Sequence, residues 1–290
     1  MNISASQVSE LREKTGVGMM QCKAALIESN GDMEKAIDIL RKQGQATAAR
    51  RAGKAAKEGK ISIINTPSFS VMFEVNCETD FVARNDDFIA FIDETGRLLS
   101  AKKPATLDQA MALASAAWGN RSISDRLSEL IGKIGEKITF RRFFIVDCDA
   151  SGEKIASYVH GNGKIGVLVK VKADAPDAEA VAVAGKDLAM QVAASRPVAI
   201  NRQSVPQAVV DKEKEIYREQ VKNSGKPEKI WDKIVEGKLG KYYEESVLIE
   251  QVYIKDTAIR VSDRIKQAEK EAGCGIVPVL FMRWELGSEE

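Results

Sequence analysis

Along the first 44 residues, apolar positions recur at helical spacing in three short runs. Val8 and Leu11 follow Ser4 and Ser6, either of which can cap a helix that stops near Gly16, where glycine adopts a left-handed backbone at little cost. Cys22, Ala25 and Leu26 share one face of a second helix from about Met19 to Ser29, stopped by Asn30-Gly31. Asp32 can cap a third helix, in which Met33, Ala36, Ile37 and Leu40 keep the spacing until Gly44. Helices this short stand only by packing on one another, which predicts a three-helix bundle and a connector over residues 1–54. The period then changes. Val71, Phe73 and Val75 alternate with Met72, Glu74 and Asn76, as a strand does. Asp86 or Asp87 can cap a helix that turns Phe88, Phe91, Ile92 and Leu99 inward, and further helices are expected over Leu107–Trp118 and Ile123–Ile134.

Strand character returns at Phe140–Val146, Ile155–Val159 and Ile165–Val171, and the short turns at 149–152 and 161–163 make these antiparallel hairpins. A helix from about Asp177 to Ser195 ends before Pro197. Between Ser204 and Glu245 two charged amphipathic helices face each other across 223–227, with Val209, Ile216 and Val221 expected opposite Ile230, Ile234 and Tyr242. A last helix, Val261–Ala272, is closed by Gly273, and Leu280, Met282, Trp284 and Leu286 share a face of the final strand. The expected class is α+β. The bundle precedes a two-part core of antiparallel sheets with helices, residues 55–146 and then 147–203 with 246–290, into which a helical hairpin, 204–245, is inserted.

A chain of 290 residues accommodates several such units. Its 43 basic residues nearly cancel 42 acidic ones, which excludes a global field drawing the whole protein onto nucleic acid. Arg41–Lys60 is locally basic, with seven cationic side chains against Glu58 alone, and reads as a solvated helical connector, with a nucleic-acid contact as the alternative. Cys22, Cys77, Cys148 and Cys274 are too scattered for a zinc knuckle or a disulfide framework. No apolar run approaches the ~18 residues of a membrane helix and the amino terminus lacks a signal-peptide pattern, so a cytoplasmic location without membrane attachment is expected.

Catalytic groups are scarce. His160 is the only histidine, lacks a nucleophile elbow or paired-acid motif, and at the start of a hairpin turn reads as a surface or contact residue. Gly161 to Gly166 spells Gly-x-Gly-x-x-Gly, but a strand follows where a dinucleotide site needs a helix, so the glycines are turn formers. No phosphate-binding loop of the Gly-x-x-x-x-Gly-Lys-Ser/Thr type occurs, and neither a cofactor nor a metal site is expected. Two segments are not accounted for by a core. In Thr15–Met20, the adjacent Met19 and Met20 point ~100° apart, so one of them faces solvent unless the buried face is wide. In Thr79–Asn85, an expected loop, Phe81 lies beside Asp80 and near Arg84; local pattern alone would drop Phe81 into its own core.

Thr15-Gly16-Val17-Gly18-Met19-Met20-Gln21-Cys22-Lys23, followed by Asn76-Cys77-Glu78-Thr79-Asp80-Phe81-Val82-Ala83-Arg84-Asn85, closely resembles the bacterial elongation factor Ts family. Lys133–Ile138, His160–Val169, Val192–Pro197 and Phe281–Glu285 extend the likeness over almost the whole chain. The resemblance implies that the bundle is ubiquitin-associated-like and the hairpin a coiled coil. It implies a guanine nucleotide exchange factor without covalent chemistry, which binds elongation factor Tu carrying GDP and promotes replacement of GDP by GTP. By the same resemblance Thr79, Asp80, Phe81 and Val82 disturb the partner's Mg²⁺ site, with Phe81 as the wedge and Asp80 as the adjacent polar contact. Arg12, Met19 and Met20 grip the partner's nucleotide domain, and His160 with Gly161 touches a second domain. Gln191 and Arg84 depart from residues frequent in relatives, and the carboxy-terminal helical module of some members is expected to be missing after Gly287. The hairpin's role in homodimerisation or partner contact is open. Competing readings are a general protein- or RNA-binding module using the bundle and connector, and an enzyme built around His160.

Overall fold

The structure is a computed structural model and describes residues 3–149 and 151–288. Ser4 begins α1 (Ala5–Thr15) with a reciprocal capping box to Gln7, and Gly16, at φ 67°, ends it. α2 (Met19–Glu28) follows Gly18, and Asp32 caps α3 (Met33–Arg51) by accepting from the Lys35 amide. Val8, Leu11, Cys22, Ala25, Leu26, Ala36 and Leu40 form the core of this bundle.

α3 does not stop at Gly44. It continues to Arg51, and Gly44 is buried against a later helix, α7 (Ile123–Ile134): a Cβ on Gly132 of α7 would lie 2.8 Å from the Gly44 Cα. The glycine therefore serves close approach between helices and not termination, which local sequence cannot distinguish. The basic stretch is correspondingly less solvated than expected. Arg41 approaches Glu129 at 3.5 Å, Arg51 pairs with Glu78 at 3.0 Å, and residues from Glu58 onward already form a strand.

β1 (Glu58–Asn65) and β2 (Phe69–Cys77) form an antiparallel hairpin, after which come α4 (Asp80–Ala83) and α5 (Asp86–Lys102). Asn85 caps α5, in place of the expected aspartates, because its carboxamide oxygen reaches the Asp87 amide. The helix expected over 107–118 is only α6 (Leu107–Met111); β3 (Ala114–Ser115), a 3₁₀ turn and β4 (Arg121–Ser122) occupy the rest. α7 (Ile123–Ile134) starts in a Ser122–Asp125 capping box and ends at Gly135. β5 (Ile138–Asp147), β6 (Glu153–His160) and β7 (Ile165–Ala173) follow, the turn between β5 and β6 including Ala150, which lies outside the described residues.

α8 (Glu179–Ser195) leads to the hairpin of α9 (Gln207–Lys222) and α10 (Trp231–Ser246). Val210, Val221, Val235 and Leu239 are its buried residues, whereas Val209, Ile216 and Ile230 are exposed. Val221 is buried and Tyr242 packs on the hairpin core as expected, whereas Val210 and Val235 take the places expected for Val209 and Ile234 one position earlier, since neighbouring apolar residues in a charged helix fit two faces almost equally well. β8 (Val252–Tyr253), β9 (Asp256–Arg260), α11 (Val261–Ala272) and β10 (Ile276–Glu285) complete the chain.

Two three-stranded antiparallel sheets result, ordered β1-β2-β5 and β10-β7-β6. Each has one face under helices: Val71, Phe73 and Val75 of β2 join Phe88 and Leu130, while Val167, Val169 and Val171 of β7 join Leu188 and Ile265. The opposite faces meet through Ile61, Met72, Val146, Leu168 and Trp284. β2 is thus buried on both faces, and Glu74 on it is fully buried. Its carboxylate accepts from Arg142 Nε at 2.7 Å, from Asn76 Nδ2 at 2.9 Å and from the Gly287 amide at 2.9 Å, with Arg141 at 3.7 Å. The Arg142 guanidinium lies 4.4 Å from the centre of the Trp284 ring on β10. A buried carboxylate is tolerable only when supplied with donors and positive charge in this way.

Candidate partner-binding site

The segment expected to be a loop after β2 is a one-turn helix, α4, because Thr79 caps it: its hydroxyl accepts from the Val82 amide at 3.4 Å. The same threonine is held from outside. Its amide and hydroxyl both donate to the Glu136 carboxylate, at 3.1 and 2.8 Å. Val82 and Ala83 are buried in the core beneath β2, and the Cys77 thiol donates to the Thr79 carbonyl at 3.1 Å. Burial, with Glu136 and Glu58 nearby, pushes the Cys77 thiol up to about 12, so it is an inert packing and hydrogen-bonding group. Three anchors therefore surround one side chain that points away from all of them: Phe81 is 80% exposed. Asp80 beside it pairs with Arg84 one turn later at 3.0 Å, an exposed pair of the kind worth ~0–1 kcal/mol and readily exchanged for another contact.

Glu78 ties this mount to the bundle. It accepts from the Lys137 amide at 2.6 Å and from Arg51 of α3 at 3.0 Å. The Lys137 amide first, and Arg51 after it, hold the Glu78 carboxyl below its ordinary value of 4.5 in spite of partial burial. A lowered folded-state value stabilises the folded chain above the ordinary value and ceases to do so as pH falls through the lowered one. Unfolding midpoints followed downward from pH 5 should therefore drop less steeply for Glu78→Gln than for the unaltered protein. Parallel curves would show that the Glu78 contacts carry no linkage.

Met19 and Met20 open α2 and are 56% and 76% exposed, so both face solvent, not one of the two. From α2 the bundle core takes Cys22, Ala25 and Leu26. Arg12 is exposed on α1, four residues before Gly16. Ile27, 56% exposed and two helical turns from Met20, extends the same apolar surface; helical spacing in the sequence could have shown this. Gly16, in the turn before Met19, lies against Lys133, whose ammonium pairs with Asp87 at 2.7 Å in the first turn of α5. Lys133 thus links the turn that precedes the methionines to the helix that follows Phe81. His160 and Gly161 lie elsewhere, at the exposed β6–β7 turn, where His160 Nδ1 is 2.9 Å from the Tyr158 hydroxyl and the Gly163 carbonyl accepts from the Ile61 amide of β1. Glu136, which fixes Thr79, received no role from sequence spacing; 57 residues separate the two.

The geometry offers apolar side chains on rigid mounts, and among the described residues no group of His, Cys, Asp and Glu is placed to hold a metal ion. No described helix is long and apolar enough to cross a membrane. The fold is α+β, and comparison with known proteins places the chain in the elongation-factor class. The family model "Elongation factor TS" matches residues 78–288. The chain is 45% identical over 289 residues to elongation factor Ts of Prosthecochloris aestuarii (strain DSM 271 / SK 413), covering 99% of each chain. It is 44% identical over 289 residues to that of Chlorobium phaeobacteroides (strain BS1), again with 99% of each covered, and 44% identical over 287 residues to that of Syntrophotalea carbinolica, with 99% of this chain and 94% of the relative covered. The chain belongs to the elongation factor Ts family and has a translation elongation role in protein biosynthesis.

Proposed function

We propose that this chain is a guanine nucleotide exchange factor that binds elongation factor Tu with GDP and promotes exchange of GDP for GTP in the cytoplasm. The observation that carries the reading is Phe81: a large aromatic side chain left 80% exposed on a short helix anchored through Thr79, Val82 and Ala83. Burying a phenylalanine is worth roughly 1.5–3 kcal/mol, a gain this fold forgoes and a partner can realise. Because Thr79 and Val82 are fixed, little ordering is needed when Phe81 is inserted between partner helices.

In this reading Thr79, Asp80, Phe81 and Val82 displace the elements that hold Mg²⁺ and the phosphates of GDP, Asp80 leaving Arg84 for a polar contact on the partner. Arg12, Met19 and Met20 grip the nucleotide domain, the methionines adapting their unbranched side chains to its surface. His160 and Gly161 touch a second partner domain. The working units are residues 1–54, 55–146, 147–203 with 246–290, and the hairpin 204–245, whose part in partner contact or homodimerisation is a separate question. No bond breaks, because loosening the phosphate site suffices.

Release of a fluorescent GDP analogue from elongation factor Tu tests this. Substoichiometric amounts of the protein should accelerate release in the presence of excess unlabelled nucleotide. An unchanged rate under conditions where the two proteins form a complex would contradict the proposal.

A further inference from the structure

Between the bundle and the core, where α3 crosses α7, lies a cleft of about 350 Å³ that the exchange reading does not use. Its polar lining is strongly unbalanced. Arg41 from α3, Arg121 from β4 and Arg126 from α7 all converge on one carboxylate, Glu129, with Arg41 at 3.5 Å and Arg126 at 3.2 Å. Guanidinium groups stay protonated at any physiological pH, so three of them against one carboxylate leave two positive charges. Neighbouring acids do little to cancel these: Asp38 reaches Arg41 only at 3.9 Å and is largely exposed, and Glu10 is taken by Lys14 at 2.7 Å.

The donors are as unbalanced as the charge. One carboxylate offers about four acceptor positions, far fewer than three guanidiniums can fill. Glu129 is mostly buried and each arginine partly so, which weakens screening by solvent. Two residual charges and planar donor forks from two sides match a tetrahedral dianion with several oxygens better than a monoanionic carboxylate. Val17, Ile37 and Leu40 line the same cleft and leave room for an apolar portion beyond the anion. We infer that this cleft binds a small phosphorylated molecule, its phosphate held by Arg41, Arg121 and Arg126. Because Arg41 stands on the bundle and Arg126 on the core, the bound anion fastens the two together.

Inorganic pyrophosphate is a suitable probe, with binding to the full chain followed by titration calorimetry at low salt. Arg126→Gln and Arg41→Gln should each weaken binding roughly tenfold, as loss of one charge-assisted contact does. Glu129→Gln should tighten it, because the competing carboxylate is gone, whereas a merely structural Glu129 would give loss. Arg218→Gln on the hairpin removes a charge elsewhere and should leave binding unchanged. Failure of pyrophosphate to bind at millimolar concentration, or equal weakening by Arg218→Gln, would overturn the inference. Tighter binding of a short single-stranded RNA than of pyrophosphate through the same arginines would overturn the small-ligand assignment.

Discussion

Replacing Phe81 by alanine is expected to reduce the protein's acceleration of GDP release from elongation factor Tu by roughly 30- to 900-fold, the range of a dominant interface side chain worth 2–4 kcal/mol. The fold should hardly notice. Phe81 is 80% exposed, and the residues that build its helix, Thr79, Val82 and Ala83, keep their contacts. Its unfolding free energy should therefore move by no more than about 0.5 kcal/mol. Phe81→Leu should retain part of the activity by supplying apolar volume without the ring. Wild-type release rates for Phe81→Ala would remove Phe81 from the mechanism, and a large loss of stability would show that its role is structural.

The second large effect is expected within β2 itself. Glu74→Ala deletes the acceptor shared by Arg142, Asn76 and the Gly287 amide at the junction of the two sheets. Removing one side of a buried ion pair costs about 3–5 kcal/mol, here by taking the shared acceptor from three donors at once. At about 2–4 °C per kcal/mol for large domains, the thermal midpoint should fall by roughly 6–20 °C. Adding Arg142→Met to Glu74→Ala should recover part of the loss, since the pair and not the individual residue sets the cost. A shift of less than about 2 °C for the single variant would mean that water satisfies Arg142 as well as Glu74 does.

These two positions mark where sequence reasoning succeeds and where it stops. Elements bounded by local chemistry were legible: Ser4, one of the two serines read as candidate caps, and Gly16 around α1, α7 from Ile123 to Ile134, and Gly273 closing α11 agree with their reading because caps act within a few residues. What depends on distant partners was not. Gly44 looks like a stop until α7 is brought against it, and β1, whose first three residues close the basic run, is not legible until β2 supplies a partner for Ile61 and Ile63. Thr79–Asn85 looks like a loop until the Thr79 cap and Glu136 are seen together. For Phe81 itself, local pattern pointed inward and only the family resemblance pointed outward; the fold leaves it outside because Val82 and Ala83 occupy the core position instead.

In the proposed exchange, attachment of this protein and attachment of GDP to elongation factor Tu oppose each other. Linkage requires the two effects to be equal: the factor by which the protein weakens GDP binding must be the factor by which GDP weakens binding of the protein. Both can be measured by titration, with the dissociation constant of GDP determined with and without saturating protein, and that of the protein determined with nucleotide-free and with GDP-loaded partner. Two ratios greater than one that agree within error are expected. A ratio of one in either titration, with binding itself intact, would contradict the proposed exchange.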